Sequence, residues 1–491
     1  MAPSPLLRTL AADSLLVLAV KVLSLPLGYY SLILLARYYG AEALGTYTLG
    51  VYLLSTLAVI CRLGLDTGIL RFFAAWGPET GRQRLLGLLL PALGLVGGLG
   101  AAAGGGLWLT GPWLAGRFQA PELPILLPWL ALLLPLTAAV GVGAEALRAL
   151  QGPRWVVLSH DGVFPLFFLI MICALAGKPG AQAVASLGLA LCLSHLAAGS
   201  LIVARLLGGL RQRPGGPGQG RHFGALLSYS TPLFLSALVW LAFGSLDSLL
   251  LGWFQPPAQV AYFEAANKTA LLVSLPLIAI NAVLPPLFSR LHQQGDHRQL
   301  EDLGRAASRW TYYLALPLTL GCLLLAPRLL AWFGAGFEAG ALALRLLALA
   351  QLVNVACGSV GFLLAMTGHQ VALTRLLALA AVGGLPLLAL GAAVGGLTGL
   401  AVAKALWLAG VNLAMTWAAY RRLGLTIFAR DLFPAHLGGA VAAGIFSLFL
   451  NPLGPVAASL LFGLAYLGLT ARPVLQEMSL LFQTPLKEGT S

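Results

Sequence analysis

Fourteen long apolar runs follow one another along this 491-residue chain, and they limit its possible folds more than any other feature. Their approximate limits are 14–38, 43–76, 84–110, 122–149, 153–175, 181–207, 226–252, 258–289, 305–333, 339–367, 370–394, 396–420, 430–450 and 453–471. A helix needs about 20 apolar residues to cross the hydrocarbon of a bilayer. In lipid the backbone must satisfy its own hydrogen bonds, so only helices and closed barrels span. A barrel would show short segments of alternating polarity, whereas these runs are continuous. The pattern predicts an all-α, polytopic membrane protein. Only 9% of the residues are charged, against roughly 25% in a soluble domain, too few to cover a water-facing surface.

A fixed period runs through these spans. The stretch LARYYGAEALGTYTLG at 35–50 shares its design with the stretch around 250–265, which lies 215 positions later. Tyr47 then lies under Tyr262, Phe73 under Phe288, Pro112 under Pro327 and Phe118 under Phe333. LRALQG at 147–152 matches LLAMTG at 363–368 after a slip of one residue. Missing such a period misreads the whole fold. The shift spans six helices, an even number, so both copies enter the membrane in the same direction. The expected architecture is two parallel six-helix bundles, related by an axis along the membrane normal, plus an appended helix pair. The Gly/Pro-rich, basic stretch GGLRQRPGGPGQGRH at 208–222 reads as a flexible linker. The expected domains are a first bundle over 1–207, the linker over 208–222, a second bundle over 223–424, and the appended pair with its tail over 425–491.

The formal charge of +13 invites a nucleic-acid reading. Its placement argues against one. With a cytoplasmic N-terminus, 19 of the 29 Lys and Arg fall in inner loops and only Arg37, Arg117, Lys178 and Arg328 in outer ones. That asymmetry is the signature of orientation in a membrane, with both termini and residues 208–222 in the cytoplasm. No cleaved signal peptide is expected. The five cysteines all lie in apolar runs without metal-like spacing, which predicts small buried hydrophobes.

Six cations remain at membrane depth, where each costs about 2.5–3.5 kcal/mol on insertion scales. Arg71 and Arg345 are near span ends and can snorkel. Arg62 has Asp66 at i+4 and Lys268 has Glu264 at i−4, spacings that place each pair on one helix face. Lys21 and Lys404 have no acid within reach on their own helix, and Asp247 is likewise alone. Glu145 can pair with Arg148. The candidate ligand-binding cations are therefore Lys21, Arg62, Lys268 and Lys404, at successive depths. Asp66, Asp247 and Glu264 are candidate ion-coupling or structural acids. Gly391, Gly395 and Gly399, four apart, would let another helix approach closely. No nucleotide-binding, zinc-protease or nucleophile-elbow motif occurs. The sequence points to no enzyme and no cofactor.

The stretches at 35–47 (LARYYGAEALGTY), 64–72 (GLDTGILRF) and 246–265 (LDSLLLGWFQPPAQVAYFEA), with the Gly152 and Gly368 turns, resemble the oligosaccharide flippases of the polysaccharide transporter family. That family belongs to the superfamily of multidrug, oligosaccharidyl-lipid and polysaccharide exporters. The resemblance covers the six-plus-six core. It implies alternating access around a central cavity in a bacterial inner membrane. The implied cargo is an undecaprenyl-diphosphate-type lipid-linked oligosaccharide moved from the inner to the outer leaflet, with H+ or Na+ as coupling ion. A multidrug and toxin extrusion antiporter is the alternative, ahead of a lipid II flippase or a membrane-embedded sugar polymerase. The second copy departs from the first at its turn, with Gln255 where Gly40 stands and Val260 where Gly45 stands.

Overall fold

The computed structural model describes residues 5–76, 80–177, 180–215 and 223–428, with six further positions between 438 and 466. The described residues are helical, joined by short turns. The principal helices are α1 (Pro5–Arg62), α2 (Leu65–Ala75), α3 (Arg82–Leu109), α4 (Leu123–Gln151), α5 (Phe164–Ala174) and α6 (Ala181–Arg211). They continue as α7 (Phe223–Gly244), α8 (Leu246–Phe254), α9 (Pro257–Leu271), α10 (His297–Ala331), α11 (Ala341–Cys357) and α12 (Gln370–Leu423).

Ten helices among the described residues are long and apolar enough to cross a membrane. Two of them, the 44 residues from Ala19 to Arg62 and the 54 from Gln370 to Leu423, are about twice the length one crossing needs. Each is broken at a glycine, Gly40 (φ 83) or Gly396 (φ 54). In α12 the two arms fold back on each other. Trp407 Nε1 donates to the Ala380 carbonyl at 2.8 Å, and a Cβ on Gly399 would lie 2.2 Å from the Gly391 oxygen. The close approach expected of the small residues at 391 and 399 is thus used within this hairpin, while a Cβ on Gly395 would meet nothing within 4 Å. Twelve of the expected spans are accounted for in this way. The last two, 430–450 and 453–471, lie outside the described residues.

Four expected spans are interrupted, the seventh at Ser245 and the tenth at Gly358 and Ser359. The second breaks at Leu63 and Gly64, and α9 gives way to a 3-10 turn, Leu272–Ser274, and then to the short helices Leu275–Ile280 and Leu284–Gln293. Pro276, Pro285 and Pro286 lie at the starts of the two later pieces, where a missing N–H costs least. Four cysteines are buried as expected. Cys173, near the end of α5, is exposed, because α5 turns that face away from its neighbours.

The chain packs as two units, Met1–Glu264 and Ala265–Ser491, a division that falls within α9 and beyond the linker. In the first unit α4 is the central helix, packed against α1, α2, α3 and α6. Small residues set those distances: Gly100 and Gly104 of α3 bring backbone against Pro135 and Ala131, and Gly188 of α6 receives the Trp129 ring. α7 packs on α1 and α2, and α8 on α1, in the same unit. Gly45 is the closest approach, since a Cβ there would sit 1.8 Å from the Pro257 oxygen. Its counterpart Val260 is fully buried with its whole side chain in place, which accounts for the departure between copies. In the second unit α10 packs on α11 and α11 on α12.

Each unit has its own apolar core, and repeat-related positions recur in both. Ile69, Phe73, Leu85, Leu88 and Ala92 belong to the first core. Their counterparts 215 positions later, Leu284, Phe288, Leu300, Leu303 and Ala307, belong to the second. Large apolar side chains also face outward, among them Leu132, Leu379, Leu390 and Val394. Such a surface would be a liability in water and suits lipid.

Candidate functional site

A cavity of about 300 Å3 opens inside the first unit. α1 lines it with Ser55, Ala58 and Arg62, and α4 with Thr137, Gly141, Glu145 and Arg148. The turns after Gly152 add Ser159 and His160, α5 adds Phe164, and α6 adds His195.

Arg62 is the last residue of α1, where the chain leaves the helix through Leu63 and Gly64. Asp66 stands in the first turn of α2, the helix end that favours a negative charge. The expected pair forms across this break: Arg62 Nη1 lies 3.2 Å from Asp66 Oδ2. Arg62 Nε donates to the Ala58 carbonyl at 3.2 Å, and Asp66 Oδ1 accepts from the Thr67 N–H at 2.8 Å. The guanidinium lies over Gly141, where a Cβ would come within 2.9 Å of Nη1. A guanidinium has five donors, and these bonds use two of them.

A second pair faces the same cavity. Arg148 Nη1 lies 3.0 Å from Glu145 Oε1 on α4. Glu145 Oε2 and Arg148 Nε are buried and have no hydrogen-bond partner among the described residues. A buried polar atom without a partner is costly, and what a ligand at this wall would meet is the outer guanidinium of Arg148, whose side chain is 40% exposed.

Opposite, Leu158–Val163 forms one π-helical stretch of sequence LSHDGV. Such widened turns are often found at functional sites. Ser159 Oγ anchors it to α6 by donating to the Ala198 carbonyl at 2.7 Å. His195 Nδ1 sits 2.9 Å from the Leu191 carbonyl. A carbonyl only accepts, so Nδ1 carries the proton there and Nε2 of a neutral ring is left as acceptor. The His195 ring stands edge-on to Phe164 with centroids 4.7 Å apart.

The cavity therefore holds two guanidinium groups, each beside one carboxylate, and two imidazoles. It can receive an anionic group on the unused Arg donors, with the carboxylates setting how firmly. Of the candidate site residues read from sequence, Arg62 lines the cavity and Asp66 stands behind it as its ion-pair partner. Lys21 is exposed on α1 and does not line the cavity. Arg148 stands three residues after Glu145 and His160 directly before Asp161, whereas His195 carries no sequence signal.

The remaining acids form a second cluster. Glu264 and Asp247 are only 3% and 4% exposed. Tyr52 donates to Glu264 Oε1 at 2.8 Å, Ser248 Oγ lies 3.4 Å from Glu264 Oε2, and Asp247 Oδ1 accepts from the Ser248 N–H at 2.7 Å. Asp247 is therefore not isolated. In the second unit Lys404 of α12 donates to Asn267 Oδ1 of α9 at 3.0 Å. Half-buried Lys268 follows directly in α9. The lysine that sequence left without a partner thus meets a neutral amide there.

The fold is shared with solved membrane transporters. A lipid II flippase MurJ in an inward closed conformation aligns with TM-score 0.77 at 13% identity, over 94% of this chain and 100% of that one. A multidrug resistance MATE family transporter in an inward-facing conformation aligns with TM-score 0.63 at 14% identity, over 84% and 98%. A point mutant of the Vibrio cholerae MATE transporter VcmN gives TM-score 0.53 at 17% identity, over 84% and 97%. No curated protein sequence matches. The profile described as polysaccharide biosynthesis protein matches residues 10–292. With more than half its length matched, this multi-pass membrane chain belongs to the polysaccharide biosynthesis protein family.

Proposed function

We propose that the protein moves a lipid-diphosphate-linked oligosaccharide of the undecaprenyl type from the cytoplasmic to the outer leaflet of a bacterial inner membrane. It does so without changing the substrate and without hydrolysing ATP. The observation that carries this reading is the Arg62–Arg148 cavity, walled by helices long and apolar enough to cross a membrane, in a chain of the polysaccharide biosynthesis family. At about 300 Å3 the cavity is at the small end of ligand sites. It suits a diphosphate rather than a whole oligosaccharide, so Arg62 would hold the charged linkage while the sugars lie elsewhere. Lys404 and Lys268 in the second unit, and Lys21 on α1, are the further cations that the diphosphate would meet. The bundles 1–207 and 223–424 would rock about the linker 208–222, with both termini in the cytoplasm and 425–491 appended. H+ or Na+ would couple through Asp66, Asp247 or Glu264.

Purified protein in vesicles, supplied with a fluorescent lipid-diphosphate oligosaccharide, tests this by leaflet exchange. Exchange above protein-free vesicles is the expected result. Cleaved or extended oligosaccharide in the same vesicles would overturn the transporter reading. The fold shared with MATE transporters supports a second reading, ion-coupled drug extrusion. Drug efflux without lipid exchange would favour it.

A further inference from the structure

The two arms of α12 enclose a groove of about 870 Å3 that the transport reading leaves unused. It is lined from Ala372 to Leu387 on one arm and from Leu406 to Arg422 on the other. Those stretches rise about 22–24 Å, somewhat more than one leaflet's half of a hydrocarbon core about 30 Å thick. The walls are apolar, with Leu379 and Leu406 facing outward at 74% and 62% exposure.

One end differs. Arg375, Arg421 and Arg422 all line the groove at the open end of the hairpin. No ion pair to a carboxylate is found for any of them among the described residues. α12 contains no Asp or Glu over its 54 residues. Arg421 lies over the ring of Trp417, 5.2 Å from its centroid, and Trp417 is 61% exposed. Arginine with tryptophan is the arrangement of a membrane–water interface, and basic pockets between spanning helices recognise lipid headgroups.

We infer that this groove is a binding site for an anionic phospholipid, its phosphate among Arg375, Arg421 and Arg422 and its acyl chains along the apolar walls. Charge complementarity selects this occupant. A second copy of the chain would bring the same cationic face against itself. The chain's own segment 429–491 carries a near balance of acids and bases, which does not answer three arginines. In the orientation proposed above the lipid belongs to the cytoplasmic leaflet; the site itself does not depend on that orientation.

The test is native mass spectrometry of the full chain in mild detergent, titrated with phosphatidylglycerol and with phosphatidylcholine of the same acyl chains. Basic residues near a membrane surface contribute about 1 kcal/mol each, so three predict a preference for phosphatidylglycerol of roughly 100-fold. Arg375→Gln with Arg421→Gln and Arg422→Gln should abolish the preference, and the matching Lys variant should keep most of it. Equal binding of both lipids, or a preference unchanged in the Gln variant, would overturn the site. A photoreactive benzoylphenylalanine at position 379 reports the occupant. Crosslinks to phospholipid support the inference, while crosslinks to residues 429–491, to a second copy or to a lipid-diphosphate carrier overturn it. None of these readouts measures transport, so their failure would leave the proposed function standing.

Discussion

Gly152 and Gly368, 216 positions apart, turn the chain with nearly the same backbone angle, φ 81 and φ 82. Each follows a helical stretch, α4 and Val360–Met366. Gly152, at φ 81 and ψ 179, stands in a region that glycine almost alone populates, where a side chain costs about 1–3 kcal/mol. Gly152→Ala and Gly368→Ala should each destabilise by about that amount, read as a lowered melting temperature in detergent. Gly97, inside α3 with open space at its Cα, is the contrast: Gly97→Ala should be neutral or stabilising by up to about 1 kcal/mol.

The cores make a paired prediction. Phe73 and Phe288 are repeat mates, 2% and 0% exposed. Phe73→Ala and Phe288→Ala should each cost about 3–5 kcal/mol. Two similar losses in thermal unfolding are expected, and a loss at only one of them would mean that the two cores are not equivalent.

Gly45 should tolerate no side chain. A Cβ would meet the Pro257 carbonyl oxygen at 1.8 Å, and that atom is backbone. Gly45→Ala must therefore push α1 away from the start of α9, with a destabilisation of about 1–3 kcal/mol or more. Val260→Ala, at the repeat-related position, should cost only the cavity it leaves. The two melting temperatures read side by side check the comparison.

Cation function separates from structure through charge-preserving changes. Arg62→Ala should lower lipid exchange at least tenfold in the vesicle assay, a difference of about 1.4 kcal/mol, and Arg62→Lys should keep part of it. Lysine meets phosphate as a point charge, so Lys404→Arg should transport while Lys404→Ala fails. Normal exchange by Lys21→Ala would remove exposed Lys21 from the substrate path.

Orientation is open to a direct measurement. A cysteine placed at Gly216 should resist impermeant thiol reagents added outside intact cells. Ready labelling there would reverse the assignment, and with it the leaflet of the proposed phospholipid.

What the sequence settled alone was local or periodic. Twenty-residue hydropathy marks a span wherever it lies, so the ten described helices that are long and apolar enough to cross a membrane were legible, as was the 215-residue register shared by the two cores. The pairs Arg62–Asp66 and Glu145–Arg148 follow from spacing along a helix. Tertiary structure decided the rest. Lys404 meets Asn267 across 137 positions, and no periodicity predicts an encounter at that separation. The cavity around Arg62 draws on α4, α5 and α6 as well as on a π-helical stretch. That stretch holds more than 3.6 residues per turn, so the face presented by His160 could not be counted off from an ideal helix. Lys21 and Lys404 looked alike in sequence, each a lone cation in an apolar run. Only packing distinguished them, because whether a side chain meets a partner or an open surface depends on which distant helix lies beside it.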